Sequence, residues 1–146
     1  MISAFSGEFL QHPIPFEMSQ NTCSHRCVYC FAGVREKKQV FNTQRFITQM
    51  NNYKGGKDCW MFRKLREGYP ICLSNNTDPF SDNNTPFTES VLEYFKQNNI
   101  RVFFQTKGGK RAVELIKGYG IKSVIYVTIT TDREDISKRI EPNRSE

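Results

Sequence analysis

The chain has 146 residues, 38% of them hydrophobic and 13% aromatic, a composition that excludes a disordered chain and fits one domain over residues 1–146 with a single packed core. No apolar run approaches the ~20 residues needed to cross a bilayer, and the N-terminus lacks a basic head before an apolar stretch, so we expect a soluble, cytoplasmic protein without membrane contacts. The formal net charge of +6 favours an anionic partner such as nucleic acid.

The expected elements alternate between strands and helices along the chain. Short apolar or β-branched runs predict strands over residues 14–18, 69–74, 101–105 and 123–130. Apolar residues at helical spacing predict helices over residues 43–54, 58–67, 86–97, 110–119 and 133–139. The expected N-caps of the first, third and fifth helices are Asn42 or Thr43, Thr85 and Asp132. This order indicates an α/β fold with a parallel sheet, flat or curved into part of a barrel.

Three of the five cysteines lie within eight residues, which is typical of a metal-binding loop in a reducing compartment. Cys23, Cys27 and Cys30 have the spacing C-x3-C-x2-C, which lets each sulfur reach a different iron of a cubic iron–sulfur cluster. The fourth iron then has no protein ligand. An open iron suits a chelating amino acid, and S-adenosylmethionine offers its amino and carboxylate groups for that purpose.

A structural zinc site is the alternative that the cysteines leave open. Zinc normally takes four ligands in two pairs, and the chain has no second pair. His25, inside the loop, could be a fourth ligand only with strained geometry, and Cys59 and Cys72 are expected to be small buried hydrophobes. Together with the positive charge, a zinc site would indicate a small nucleic-acid-binding module rather than an enzyme.

The segment CSHRCVYCFA at residues 23–32 resembles the cluster motif of the radical S-adenosylmethionine superfamily. Further segments in the same order resemble its spore photoproduct lyase-like branch, which is also described as DNA repair photolyase-like: SNNTDPF at 74–80, TK at 106–107, TITTD at 128–132 and RIEP at 139–142. The resemblance implies a (β/α) barrel, a [4Fe-4S] cluster and reductive cleavage of S-adenosylmethionine to a 5′-deoxyadenosyl radical. It also implies an external one-electron donor and leaves the substrate open, with nucleic acid as one candidate.

The resemblance assigns cofactor-binding roles to five further positions. It puts Tyr29 against the adenine, Lys107 just past the third strand with the cofactor carboxylate, and Thr128 in the fourth strand near the ribose. It puts Ser74 and Thr77, at the end of the second strand, near the cofactor amino group. Read from the residues alone, these segments have structural explanations: Lys107 fits a solvated turn, Tyr29 a core position, Thr128 a strand and Asp78-Pro79 a turn.

The chain departs from the family in two places. Photoproduct lyases carry a hydrogen-donating cysteine beside the Ser/Thr-Asp turn, where this chain has Asn75, and Cys72 lies further back in the strand. Family barrels continue past the Glu-Pro segment, and six strand–helix units need about 180 residues. We therefore expect about four units, the N-terminal cofactor-binding part of a barrel truncated at its C-terminus. A non-catalytic fragment that keeps the cluster loop is a further alternative.

Overall fold

The structure of the chain is a computed structural model, which describes residues 14–16, 23–30, 42–74, 77–120 and 123–143. Four strands lie in this part of the chain: β1 (Ile14–Phe16), β2 (Ile71–Leu73), β3 (Val102–Thr106) and β4 (Ser123–Val127). It also contains five helices: α1 (Thr43–Lys54), α2 (Trp60–Arg66), α3 (Thr85–Gln97), α4 (Lys110–Tyr119) and α5 (Glu134–Ile140). None of the five is long and apolar enough to cross a membrane.

The four strands form one parallel sheet in the order β1-β2-β3-β4. In the register, Ile71 pairs with both Ile14 and Val102, and the β3–β4 ladder runs for five residue pairs, the last joining Thr106 to Val127. Consecutive parallel strands need crossovers, and the helices provide them. The predicted α/β fold with a parallel sheet is confirmed.

One face of the sheet packs against the helices. Leu73, Val102 and Phe104 point to this face and are fully buried, and they share their core with residues of all four helices α1 to α4. The neighbouring residues Cys72 and Phe103 point to the opposite face, where they form a second, smaller cluster with partly buried residues of β4. This period-two alternation is what a strand requires, and it makes Cys72 the buried hydrophobe that the sequence predicts. The same prediction for Cys59 is wrong, because that residue is only partly buried.

Local capping explains where several elements begin and end. The Asn42 side chain accepts a hydrogen bond from the Arg45 amide at 2.9 Å, as predicted for the start of α1. Gly120 adopts a left-handed conformation (φ 60°) directly after α4, which a residue with a side chain disfavours. Two predicted caps are wrong: Asn84 rather than Thr85 precedes α3, and Arg133 rather than Asp132 precedes α5.

Candidate functional site

A cavity of about 230 Å³ opens at the carboxyl ends of the strands. Its walls come from residues 23–30, which we name the cysteine loop, and from the segments that end or follow β2, β3 and β4. The lining residues are Cys23, His25, Cys27, Tyr29, Cys30, Ser74, Thr77, Asp78, Gln105, Thr106, Lys107 and Thr128. The structure thus brings all eight predicted site residues to one cavity. This edge is where parallel α/β sheets place their ligands, because the loops from successive strands converge there.

The cysteine loop is tied on one side to the segment that follows β2. The Ser24 amide donates to Asn83 Oδ1 at 3.1 Å, and the Asp82 amide donates to the Ser24 hydroxyl at 3.0 Å. Within the loop, the Cys30 amide donates to the Cys27 carbonyl at 3.0 Å. These contacts hold the cysteines beside the end of β2.

On its other side the loop is held by residues 140–143, which we name the closing segment. The Val28 amide donates to the Ile140 carbonyl at 2.9 Å, and Asn143 Nδ2 donates to the Ser24 carbonyl at 2.8 Å. The Asn143 carbonyl lies 3.0 Å from His25 Nδ1. The end of α5 therefore packs on the loop that carries the three cysteines.

Asp78 is the centre of a buried hydrogen-bond network beneath the cysteine loop. Its Oδ2 lies 3.0 Å from His25 Nε2 and accepts from the Lys107 amide at 2.6 Å. Its Oδ1 accepts from the Thr106 hydroxyl at 2.8 Å and the Phe80 amide at 2.9 Å. One carboxylate therefore joins the cysteine loop, the turn after β2 and the end of β3.

The charges of this network reinforce each other. Burial favours the neutral form of Asp78, but hydrogen bonds from His25 and from the Lys107 and Phe80 amides outweigh it and lower the pKa of the carboxyl. Burial likewise disfavours a charged His25, but the hydrogen bond to Asp78 and that to the Asn143 carbonyl outweigh it and raise the pKa of the imidazole. Both ring nitrogens of His25 are thus engaged by protein atoms.

A second polar group surrounds Glu141, whose side chain is fully buried. Its Oε1 accepts hydrogen bonds from the Lys107 ammonium, the Tyr29 hydroxyl and the Thr130 hydroxyl. Lys107 also donates to the Tyr29 hydroxyl, and its Nζ lies 3.1 Å from Thr130 Oγ1 and 5.0 Å from the centre of the Tyr29 ring. Tyr29 and Lys107, which are predicted to contact the adenine and the carboxylate of the cofactor, therefore both bind the side chain of Glu141.

Mutual stabilisation of charge explains the titration of this group. Burial alone would raise the pKa of Glu141, but hydrogen bonds from Lys107, Thr130 and Tyr29 lower it to about 2. Burial would lower the pKa of Lys107, but the bond to Glu141 outweighs it and raises that pKa. The pKa of Tyr29 is raised by burial and by its bond to Glu141. At neutral pH the lysine and the glutamate are a charged pair.

The three remaining predicted residues lie on the cavity wall in different settings. Ser74 is buried with a positive φ of 55°, which is strained backbone for a residue with a side chain, and its Oγ lies 3.5 Å from the Thr77 hydroxyl. Thr128 lies after β4, so its predicted position within the strand is wrong. Its amide nevertheless donates to the Thr106 carbonyl at 2.9 Å, which keeps it beside the end of β3.

The chemistry of the three thiols fits an iron–sulfur cluster. Cys23, Cys27 and Cys30 are partly buried and line one cavity. Burial raises the pKa of the Cys23 and Cys27 thiols, although Lys107 opposes the shift at Cys27, so metal loading would displace protons. No group of three or more His, Cys, Asp and Glu side chains among the described residues could hold a metal ion. Cluster thiolates bind three separate irons and need not converge on one point.

Comparisons with protein-family models, curated proteins and solved structures find no match to this chain. The resemblance to radical S-adenosylmethionine proteins therefore depends on the motif residues alone.

The sequence prediction missed the two carboxylates that organise the site. Asp78 and Glu141 are both in the segments that carry the resemblance, but the sequence alone indicates only a turn at Asp78 and no role for Glu141. His25 was considered only as a metal ligand. The missing signal was spatial, because Asp78 lies 53 positions from His25 and Glu141 lies 112 positions from Tyr29.

Gly108 is expected to be sensitive to substitution because it packs against the Asp78 network. A Cβ at this position would lie 3.0 Å from Thr106 Oγ1 and 3.1 Å from Phe80 Cβ. Thr106 cannot yield without loosening its bond to Asp78, so we expect Gly108→Ala to lower the free energy of unfolding in urea by about 1–3 kcal/mol. Gly118→Ala is the control, because nothing lies within 4 Å of a Cβ there. It should leave stability unchanged or raise it by up to ~1 kcal/mol.

Proposed function

We propose that the chain is a radical S-adenosylmethionine protein of partial (β/α)-barrel type that binds a [4Fe-4S] cluster and S-adenosylmethionine in the cavity at the strand ends. One observation carries the proposal. The three cysteines share this cavity with all five residues that the resemblance assigns to the cofactor, although the eight residues come from four separate parts of the chain.

The residues of the cavity suit the parts of that ligand. Cys23, Cys27 and Cys30 would hold three irons of the cluster. When bound, the cluster supplies one electron, received from an external donor, that cleaves S-adenosylmethionine to methionine and a 5′-deoxyadenosyl radical. The Ser74 and Thr77 hydroxyls can accept hydrogen bonds from the amino group of the methionine moiety.

The remaining assignments concern the carboxylate and the nucleoside. The ammonium of Lys107 already donates to three acceptors, so it can take the cofactor carboxylate only in exchange for one of them. The ring of Tyr29 is half exposed and offers a face for the adenine, and the exposed Thr128 hydroxyl suits the ribose. The positive net charge of the chain favours a nucleic-acid substrate.

Two alternative functions, a zinc-stabilised module and a non-catalytic fragment, have less support. A zinc-stabilised nucleic-acid module needs a fourth ligand, and both ring nitrogens of His25 are already engaged. A non-catalytic fragment would keep the cluster without turnover, and a measurement of product separates it from an active enzyme.

The decisive experiment is reconstitution of the chain with iron and sulfide without oxygen, followed by reduction with dithionite in the presence of S-adenosylmethionine. We expect a brown protein with about four irons per chain and the formation of 5′-deoxyadenosine, measured by liquid chromatography. Iron without product would support the fragment instead. A colourless protein that takes up zinc and no iron would contradict the proposal.

A further inference from the structure

The closing segment places the charged side chain of Glu141 against Tyr29 and Lys107, two residues that line the cavity. The side chain of Glu141 is 0% exposed, whereas that of its partner Lys107 is 16% exposed. A buried carboxylate is costly unless several donors satisfy it, and Glu141 has three. The same carboxylate uses one of the three ammonium hydrogens of Lys107, and the Tyr29 and Thr130 hydroxyls accept the other two.

We propose that Glu141 is a positioning residue, which holds the Lys107 ammonium and the Tyr29 hydroxyl in one arrangement at the edge of the cavity. Glu141 is buried and therefore acts on the ligand only through these two side chains. The ligand class, S-adenosylmethionine, rests on the proposed function, but the positioning of Lys107 does not. Because the backbone of the closing segment is bonded to the cysteine loop, Glu141 also couples that loop to the ends of β3 and β4.

The first test measures the reactivity of Lys107 in the iron-free chain. Brief treatment with acetic anhydride, followed by peptide mass spectrometry, gives the labelling rate of Lys107 relative to the exposed Lys110 in the same molecule. We expect Glu141→Gln to raise this ratio about tenfold, because the amine is no longer held by a buried carboxylate. Glu141→Asp keeps the charge but is one methylene shorter, so the ratio should rise there too, by a smaller factor.

The second test measures ligand affinity in the iron-loaded chain by equilibrium dialysis with S-adenosylmethionine. We expect Glu141→Gln and Lys107→Met each to raise the Kd about tenfold, and Glu141→Gln to have a much smaller effect once Lys107 is methionine, since Glu141 then acts only through Tyr29. Glu134→Gln is the matched control. Glu134 lies at the other end of the same helix and pairs with Lys138 at the surface, so neither the Kd nor the labelling of Lys107 should change.

The outcomes separate this inference from the proposed function. Unchanged labelling of Lys107 in both Glu141 variants would overturn the inference, and so would Kd effects that multiply in the double variant. Faster labelling of Lys107 in a chain that binds no S-adenosylmethionine would uphold the positioning role and contradict the proposed function. A thermal melt by circular dichroism identifies a variant that has lost its fold, and the second variant then decides.

Discussion

Replacing Cys27 by alanine is expected to abolish both the brown colour and the formation of 5′-deoxyadenosine. Cys27 is the middle ligand of the loop, and two thiolates cannot hold three corners of a cluster. Its side chain is only partly buried, so the iron-free variant should keep its free energy of unfolding within about 0.5 kcal/mol. Iron per chain, absorbance and product are the measurements, and urea unfolding establishes that the fold is intact.

Cys59→Ala is the control for this loss of ligand. Cys59 is also a free, partly buried cysteine, but it precedes α2, away from the cysteine loop in the sequence, and it does not line the cavity. We expect this variant to take up iron and to form product like the unmodified chain. A Cys27→Ala protein that kept its iron and its product would remove the loop from the mechanism.

The fold could be predicted from local patterns wherever neighbouring residues decide the structure. The prediction for α4 is correct at both ends, because the apolar spacing of that segment ends at a glycine suited to a left-handed cap. The prediction for β4 is three residues too long. The β-branched run at 128–131 has the composition of a strand, but the ladder stops at the pair Thr106 and Val127, where β3 ends and offers no further partner. Composition does not contain that information.

The candidate site could be predicted only in part, for the same reason. The cysteine spacing is local, and the parallel order of the strands suffices to predict which edge of the sheet collects the loops. What could not be predicted is which polar side chains satisfy each other inside the site. Lys107 and Glu141 are 34 positions apart, and their pairing depends on how α5 returns to the cysteine loop. Pairing at this range follows from tertiary packing, which a single sequence does not reveal.

Replacing Asp78 by alanine is expected to destabilise the fold more than any other single change at this site. The carboxylate accepts four hydrogen bonds, and two of them come from the backbone amides of Phe80 and Lys107, which lose this acceptor in the variant. Its loss also leaves His25 without a counter-charge, so we expect the free energy of unfolding of the iron-free chain to fall by about 3–5 kcal/mol. Asp78→Asn keeps the shape, but its amide nitrogen faces donors, and about 1–3 kcal/mol should be lost.

The pH dependence of this loss has a definite sign. The pKa of Asp78 is lower in the folded chain than its ordinary value, so its contribution is complete above about pH 4 and disappears as the pH falls through the folded value. Asp78→Asn should therefore flatten the acid limb of the stability curve. Asp82→Ala is the control, because Asp82 is exposed and its ion pair with Arg111 is long, at 4.0 Å. This variant should change stability by less than about 0.5 kcal/mol.

Asp78→Asn also tests whether the Asp78 network holds the cysteine loop in place. His25 lies between Cys23 and Cys27, and Asp78 bonds it to the ends of β2 and β3. Without that bond the loop loses its link to Asp78 and retains contacts to the closing segment and from Ser24 to Asn83, so we expect Asp78→Asn to take up less iron than Asp82→Ala under identical reconstitution. An Asp78→Asn protein with the stability and iron content of the unmodified chain would show that this network does not hold the loop.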